Sequence, residues 1–314
     1  MRRRTFLRGV VASGLGVLMV SHARAWAHET TASRLAEGRP SRTAQGTANL
    51  RAAHQLVDQP RIFDDPLALR IIGTKWEAAV RARAGQGGMA SFRPFVAVRS
   101  RYAEDELARA VERGIRQYVL LGAGLDTFAY RTPYPGSRLR VFEVDHPATQ
   151  VWKRERLQEA GIAVPESVTF AAIDFEKQTL AAGLRQAGFD ARAPAFFSML
   201  GVVVYLTRDA VMDTLKFVAS LPSGTEIVFD YAIPASTLSE SNRAIHDDAL
   251  RRVAAGGEPW LTYFEPAMLA GELKGLGFTQ VEDLGPDELH ERYFKGRADG
   301  LRLNGMARLV KAGR

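Results

Sequence analysis

From residue 118 onward, short apolar runs alternate with longer stretches in which apolar residues recur at helical spacing. The runs at 118–121, 139–147, 167–175, 195–206 and 225–231 predict strands, and 147–159, 180–188, 208–219 and 266–275 predict helices around them. Thr207 stands where it can cap the helix at 208–219. A run without polar interruption is buried on both faces, so the spacing predicts right-handed crossovers and an α/β fold: a mostly parallel sheet with helices on both sides. The stretch 195–206 is too apolar to face water and belongs in the middle of that sheet. Residues 277–284 and 306–311 predict a closing pair of edge strands, and 235–260 a polar, helix-prone insertion.

Ahead of the sheet, 48–56, 66–72 and 92–110 carry helical patterns, while 28–47 has the small, polar composition of a linker. Asp64 or Asp65 is positioned to cap the second helix, with Pro66 at its first position. The glycine-rich run at 85–88 is a candidate hinge for a lid.

The first strand breaks abruptly into Gly122-Ala123-Gly124-Leu125-Asp126. Glycine there admits a tight turn and lets a ligand approach the backbone without a Cβ in the way. The third glycine of the dinucleotide fingerprint is missing, which weakens the pyrophosphate reading and a nicotinamide dehydrogenase with it. A plain strand-to-helix turn is the alternative. The next strand ends in Glu143 and Asp145, about 20 residues on, where a carboxylate can accept hydrogen bonds from a ribose diol. The third ends in Asp174 and Phe175, an acceptor for an exocyclic amine beside a flat side chain. Arg99 and Arg101 on the preceding helix are candidates to clamp a ligand carboxylate, with solvated or salt-bridged roles as the alternative.

Composition narrows the field. At 314 residues, 46% hydrophobic and 25% charged, the chain can bury a large core as one enlarged domain. No cysteine occurs, which excludes disulfides and thiolate chemistry, and the six histidines show no metal-ligand spacing. The net charge of +7 owes five units to Arg2, Arg3, Arg4, Arg8 and Arg24, and without those the body carries only +2, which gives little reason to bind nucleic acid. Those arginines belong to residues 1–27, where a twin-arginine pattern, a short apolar core at 9–20 and Ala25-Trp26-Ala27 resemble a removable export signal. The apolar run falls short of the ~20 residues that span a bilayer, so no stable membrane anchor is expected. Export through the twin-arginine machinery would place the protein in the periplasm or outside; if the segment is only an extension, the protein stays in the cytoplasm.

Several motifs together carry a family resemblance: Phe63-Asp64-Asp65-Pro66-Leu67-Ala68, Val98-Arg99-Ser100-Arg101-Tyr102, Leu121-Gly122-Ala123-Gly124-Leu125-Asp126-Thr127, Phe142-Glu143-Val144-Asp145-His146-Pro147, Tyr205-Leu206-Thr207, Gly257-Glu258-Pro259-Trp260 and Arg292-Tyr293-Phe294. Over roughly 48–312 the sequence resembles class I S-adenosylmethionine-dependent methyltransferases of the leucine carboxyl methyltransferase family, in particular its large bacterial branch. The resemblance implies a Rossmann-like seven-stranded sheet with its last strand antiparallel, an N-terminal helical lid at 48–92, a methyltransferase domain at 93–314 and S-adenosyl-L-methionine as cofactor. It assigns Arg99 to the methionine carboxylate with Arg101 as competitor, Gly122 and Gly124 to the cofactor loop, Asp145 to the ribose with Glu143 nearby, and Asp174 with Phe175 to adenine. Tyr205, Tyr293 and Arg297 are candidates for the acceptor side. One departure stands out: where the family carries a cofactor-contacting glutamate five residues before the strand-end tyrosine, this chain has Leu200. The expected activity is O-methylation of a small-molecule carboxylate or hydroxyl. The rival is an exported binding protein that keeps the fold without catalysis, motivated by the signal segment and Leu200, since the cofactor is made in the cytoplasm.

Overall fold

A computed structural model of the protein describes residues 41–174 and 178–314. The arginine-rich segment, most of the expected linker and Phe175 lie outside the described residues. In chain order the elements are α1 Arg42–Val57, α2 Ala68–Ile72, α3 Thr74–Arg83, α4 Gly87–Glu112, β1 Gln117–Leu121, α5 Phe128–Arg131, β2 Arg140–Asp145, α6 Pro147–Glu159 and β3 Val168–Ala172. There follow α7 Leu180–Gln186, β4 Phe196–Met199, α8 Arg208–Ala219, β5 Glu226–Ala232, α9 Glu240–Ala255, α10 Pro266–Gly275, β6 Gln280–Leu284, α11 Pro286–Tyr293 and β7 Ala307–Gly313.

The described strands form one seven-stranded sheet in the order β3-β2-β1-β4-β5-β7-β6. β1 to β5 are parallel; β7 runs antiparallel between β5 and β6. The expected closing pair of edge strands is therefore half right. β6 is an edge, but β7 is interior and buries Leu309, Val310 and Ala312. The apolar runs behave as their composition requires: β1, β4 and β5 are buried along their whole length. One core cluster lies on the face covered by α7, α8 and α10, and another on the face covered by α4 and α11. Helix starts follow local chemistry, with Thr179 and Thr207 accepting from Ala182 and Ala210 N–H groups.

Among the predicted boundaries that move, α4 starts at Gly87 rather than 92 and takes in half of the glycine-rich run, and two others each have a physical cause. The run 195–206 is not one strand, because Gly201 turns the chain at φ +70° and the apolar residues beyond it form a 3-10 turn, Val203–Tyr205. α1 begins at Arg42, six residues before its apolar pattern, because Ser41 caps it and Glu258 from a distant loop takes up further N-terminal donors. Asp65 also exceeds the capping role expected of it. It accepts from Leu67 N–H ahead of α2, but its carboxylate is buried against Arg51 at 2.6 Å and Thr127 Oγ1 at 2.7 Å. Burial would raise its pKa, yet the Arg51 and Arg131 guanidiniums hold it below the usual range. Asp64 stays at the surface with Arg61.

The four N-terminal helices bear on the site. The alanine face of α1, with Ala48, Ala52 and Ala53, packs in one cluster with Ile71, Ile72, Leu157 and Leu125, the last of which belongs to the glycine loop. Arg51 of α1 donates to the Leu125 carbonyl at 2.5 Å. The 85–88 run joins α3 to α4, whose first turn starts at Gly87.

Candidate active site

A parallel sheet gathers ligands at the carboxyl ends of its strands, beside the point where strand order reverses, which here lies between β1 and β4. The register fixes what stands there. Leu121 pairs with Val144, Asp145 with Ala172, Leu120 with Ser198, and Met199 with Phe229. At or just past these pairs stand the Gly122–Gly124 loop, Asp145, Asp174, Leu200–Gly201 and Asp230, in a row along five adjacent strands.

The glycine loop is built rather than generic. Gly122 and Gly124 adopt φ +69° and +41°, and the Gly122 and Ala123 N–H groups both donate to the Val144 carbonyl. A Cβ on Gly122 would lie 2.3 Å from Val202 Cγ2 across the switch point, and one on Gly124 3.1 Å from Ala44 of α1. Beneath the loop Lys153, 1% exposed, donates to the Ala123 carbonyl at 3.4 Å and pairs with Glu143 at 2.8 Å.

Asp145 binds the loop directly, accepting from Gly124 N–H at 2.6 Å and from His146 N–H at 2.7 Å. Burial pushes its pKa up despite those two donors. His146 Nδ1 accepts from Ala148 N–H, and its Nε2 faces the Asp174 carboxylate at 3.8 Å. On the far side of the switch point Arg99, 7% exposed, pairs with Asp230 at 3.0 Å. Its guanidinium lies so close to Gly201 that a Cβ there would sit 2.5 Å from Nη2. The other Asp230 oxygen accepts from Gly201 N–H at 2.5 Å. Tyr205 stands beside this group on its 3-10 turn. Its hydroxyl accepts from Trp260 Nε1 at 3.3 Å, and burial raises its pKa.

The expected site residues separate clearly. Arg99, Gly122, Gly124, Asp145, Asp174 and Tyr205 gather at the strand tips. Arg101 does not: two residues along the helix it faces outward and pairs with Asp105, away from the strand tips where Arg99 lies. Glu143 is also set back from the strand tips. It is fully buried two residues down β2, its Oε2 held by Lys153 and the Tyr130 hydroxyl while its Oε1 has no partner, and burial raises its pKa. Tyr293 and Arg297 are not neighbours of Tyr205 either; with Arg101, Asp105, Ile62 and Arg292 they line a separate open cavity of about 510 Å³ between α4 and α11. Leu200 brings no carboxylate, but Asp230 supplies one at the adjacent tip. Asp230, Gly201 and Lys153 escaped the sequence reading. Asp230 interrupts its apolar run rather than ending it, since Tyr231 and Ala232 continue β5, so the signal that marked Asp145 and Asp174 did not mark it.

A donor set of this kind suits an adenosyl amino acid: an arginine for its carboxylate, a strand-end aspartate for a ribose diol, a second for an exocyclic amine, and a glycine turn packed tightly under Val202 and Ala44. Fold and site thus define a class I methyltransferase. The comparisons agree. Residues 44–219 match the family described as leucine carboxyl methyltransferase. A Bacillus subtilis (strain 168) protein named "Putative S-adenosyl-L-methionine-dependent methyltransferase YktD" is 34% identical over 287 residues, covering 83% of this chain and 93% of the relative. A relative of the same description from Mycobacterium avium (strain 104) is 31% identical, covering 65% and 71%. Among solved structures, a protein from Thermobifida fusca YX described as a putative methyltransferase shares the fold at TM-score 0.52 and 15% identity, covering 89% of this chain and 97% of that one. The chain belongs to the leucine carboxyl methyltransferase family and is an S-adenosyl-L-methionine-dependent methyltransferase.

The raised pKa of Asp145 gives a pH dependence. A carboxyl whose folded pKa lies above the free value gains its charge only as pH climbs past the raised value, and a diol is bound best by the charged form. Cofactor affinity is therefore expected to fall on acidification at a pH above the 3.8 of an ordinary aspartate. Calorimetric titration across pH checks this, and Asp145→Asn is expected to bind more weakly at neutral pH and to lose that acid limb.

Proposed function

We propose that the enzyme transfers the methyl group to an oxygen of a small molecule, a carboxylate or a hydroxyl. The observation that carries this reading is the group beyond the β4 and β5 tips, where a protonated tyrosine hydroxyl and an indole N–H at partly buried positions stand beside the buried Arg99–Asp230 pair. S-adenosylmethionine, when bound, supplies an already electrophilic methyl group. What remains for the protein is to hold the acceptor oxygen in line and exclude water, an effect that can reach ~7 to 11 kcal/mol. Tyr205, kept protonated by burial, is suited to donate a hydrogen bond to that oxygen rather than to remove a proton from it. A carboxylate acceptor needs no base. A hydroxyl acceptor would draw on His246, a 3% exposed imidazole packed at 5.8 Å from both Trp260 and Tyr263, whose Nε2 has no partner.

The test is methyl transfer from labelled S-adenosylmethionine to a panel of small carboxylates and hydroxyl compounds, with the product's ester or ether bond identified. Tyr205→Phe is expected to lower kcat by about 10- to 100-fold while S-adenosylhomocysteine affinity changes less than threefold, the range for losing one positioning hydrogen bond. Tight S-adenosylhomocysteine binding with no turnover on any acceptor would instead favour the exported binding protein.

A further inference from the structure

We infer that Glu258 is a positioning residue for the cofactor loop: its carboxylate latches the N-terminus of α1 over the glycine turn, and releasing it sets how fast the cofactor exchanges. Glu258 sits just after α9, in a turn where Gly257 adopts φ +79°, and is 8% exposed. Its Oε1 accepts from Arg42 N–H at 2.7 Å. Its Oε2 accepts from Ser41 Oγ at 2.9 Å, from Thr43 N–H at 3.2 Å, and from the Thr43 hydroxyl in a still closer contact. One carboxylate thus takes four donors from three consecutive residues at a helix N-terminus, where both the free N–H groups and the helix dipole favour a negative charge. The contact spans more than 200 positions of sequence, so it is tertiary rather than a local cap.

Its consequence reaches the site through two routes. On the α1 side, Ala44 follows directly after the latched residues and closes on Gly124, while Arg51 one helical stretch later holds the Leu125 carbonyl. On the Glu258 side, the chain runs on to Trp260, which donates to Tyr205, then to Leu261 N–H, which donates to the Val204 carbonyl, and Thr262 Oγ1, which donates to the Leu206 carbonyl. The latch therefore ties the lid helix, the glycine loop and the post-β4 turn into one unit. Because Ala44 packs directly on the loop at Gly124, opening of α1 loosens the loop and with it the exchange of a cofactor held there.

The inference rests on the methyltransferase reading only for its effect on ligand release; its effect on α1 does not. Glu258→Gln is the variant of choice. An amide oxygen can serve one side of the latch, but its NH₂ then faces the donors on the other, so the change keeps shape, removes the charge from all four contacts and opposes the single Arg42 donor or the three from Ser41 and Thr43. In the full chain without ligand, amide exchange in peptides covering 42–57 is expected to rise about tenfold or more in E258Q, with β1, β4 and β5 unchanged. In stopped-flow competition, S-adenosylhomocysteine release is expected to speed up by a similar factor, and KM for the cofactor to rise more than kcat falls. A second variant attacks from the other side: Ser41→Ala with Thr43→Ala leaves Glu258 in place and should give the same selective exchange. Unchanged exchange over 42–57 in either folded variant overturns the latch, as does a uniform rise across the sheet. Absence of S-adenosylhomocysteine binding in the wild type would overturn the cofactor reading and leave the α1 exchange result to decide the latch on its own.

Discussion

Replacing Arg99 with alanine is expected to weaken S-adenosylhomocysteine binding by about 10- to 150-fold, the worth of charge-assisted hydrogen bonds to a carboxylate. The same change strands the buried Asp230, whose cationic partner is gone, and a broken buried pair costs about 3–5 kcal/mol of stability. The two effects are separable. Arg99→Lys keeps a cation beside Asp230 but lacks the planar fork, so it should hold most of the stability and still bind roughly tenfold more weakly. Denaturant titration and calorimetry on both variants check this; an R99A protein that binds as well as wild type would remove Arg99 from the site.

Gly122→Ala is expected to be as damaging through a different cause. The residue would be forced to φ +69°, a left-handed conformation costing about 1–2 kcal/mol for an L-residue, and its Cβ would meet Val202 at 2.3 Å. Overpacking adds about 1–3 kcal/mol, so stability should fall by about 2–5 kcal/mol, with binding lost as the loop or the Val202 turn is displaced. Gly271→Ala is the control. That glycine lies inside α10 with nothing within 4 Å of a new Cβ, and alanine there should stabilise by about 0.5–1 kcal/mol and leave binding alone. Thermal unfolding followed by ligand titration reads both outcomes.

What the sequence disclosed depended on how local the deciding physics was. The parallel strands and their intervening helices were legible because burial on both faces leaves an unbroken apolar run, and the candidate site residues Asp145 and Asp174 because each closes such a run with a charge. The β7 insertion between β5 and β6 was not legible, since spatial order in a sheet is set by crossovers and not by composition. α1 was read too short for a similar reason. Its first turn has no apolar face, and the carboxylate that holds it comes from Glu258, on the far side of the chain. Arg99 and Arg101 were inseparable in sequence, yet two residues on a helix turn one inward and the other out. The acceptor side fared worst. Tyr205, Tyr293 and Arg297 are each plausible by residue type, and only the fold shows that the last two line a different cavity.

The central claim is that the tips of β1, β2 and β3, with Arg99 reaching over from α4, hold a single adenosyl amino acid. A crystal structure of the full chain grown with S-adenosylhomocysteine tests it most directly. The account predicts the ribose hydroxyls on the Asp145 carboxylate and the amino-acid carboxylate on the Arg99 guanidinium, each within hydrogen-bond distance. Ligand bound away from Gly122–Gly124, or with its carboxylate on Arg101 in the outer cavity, would contradict it.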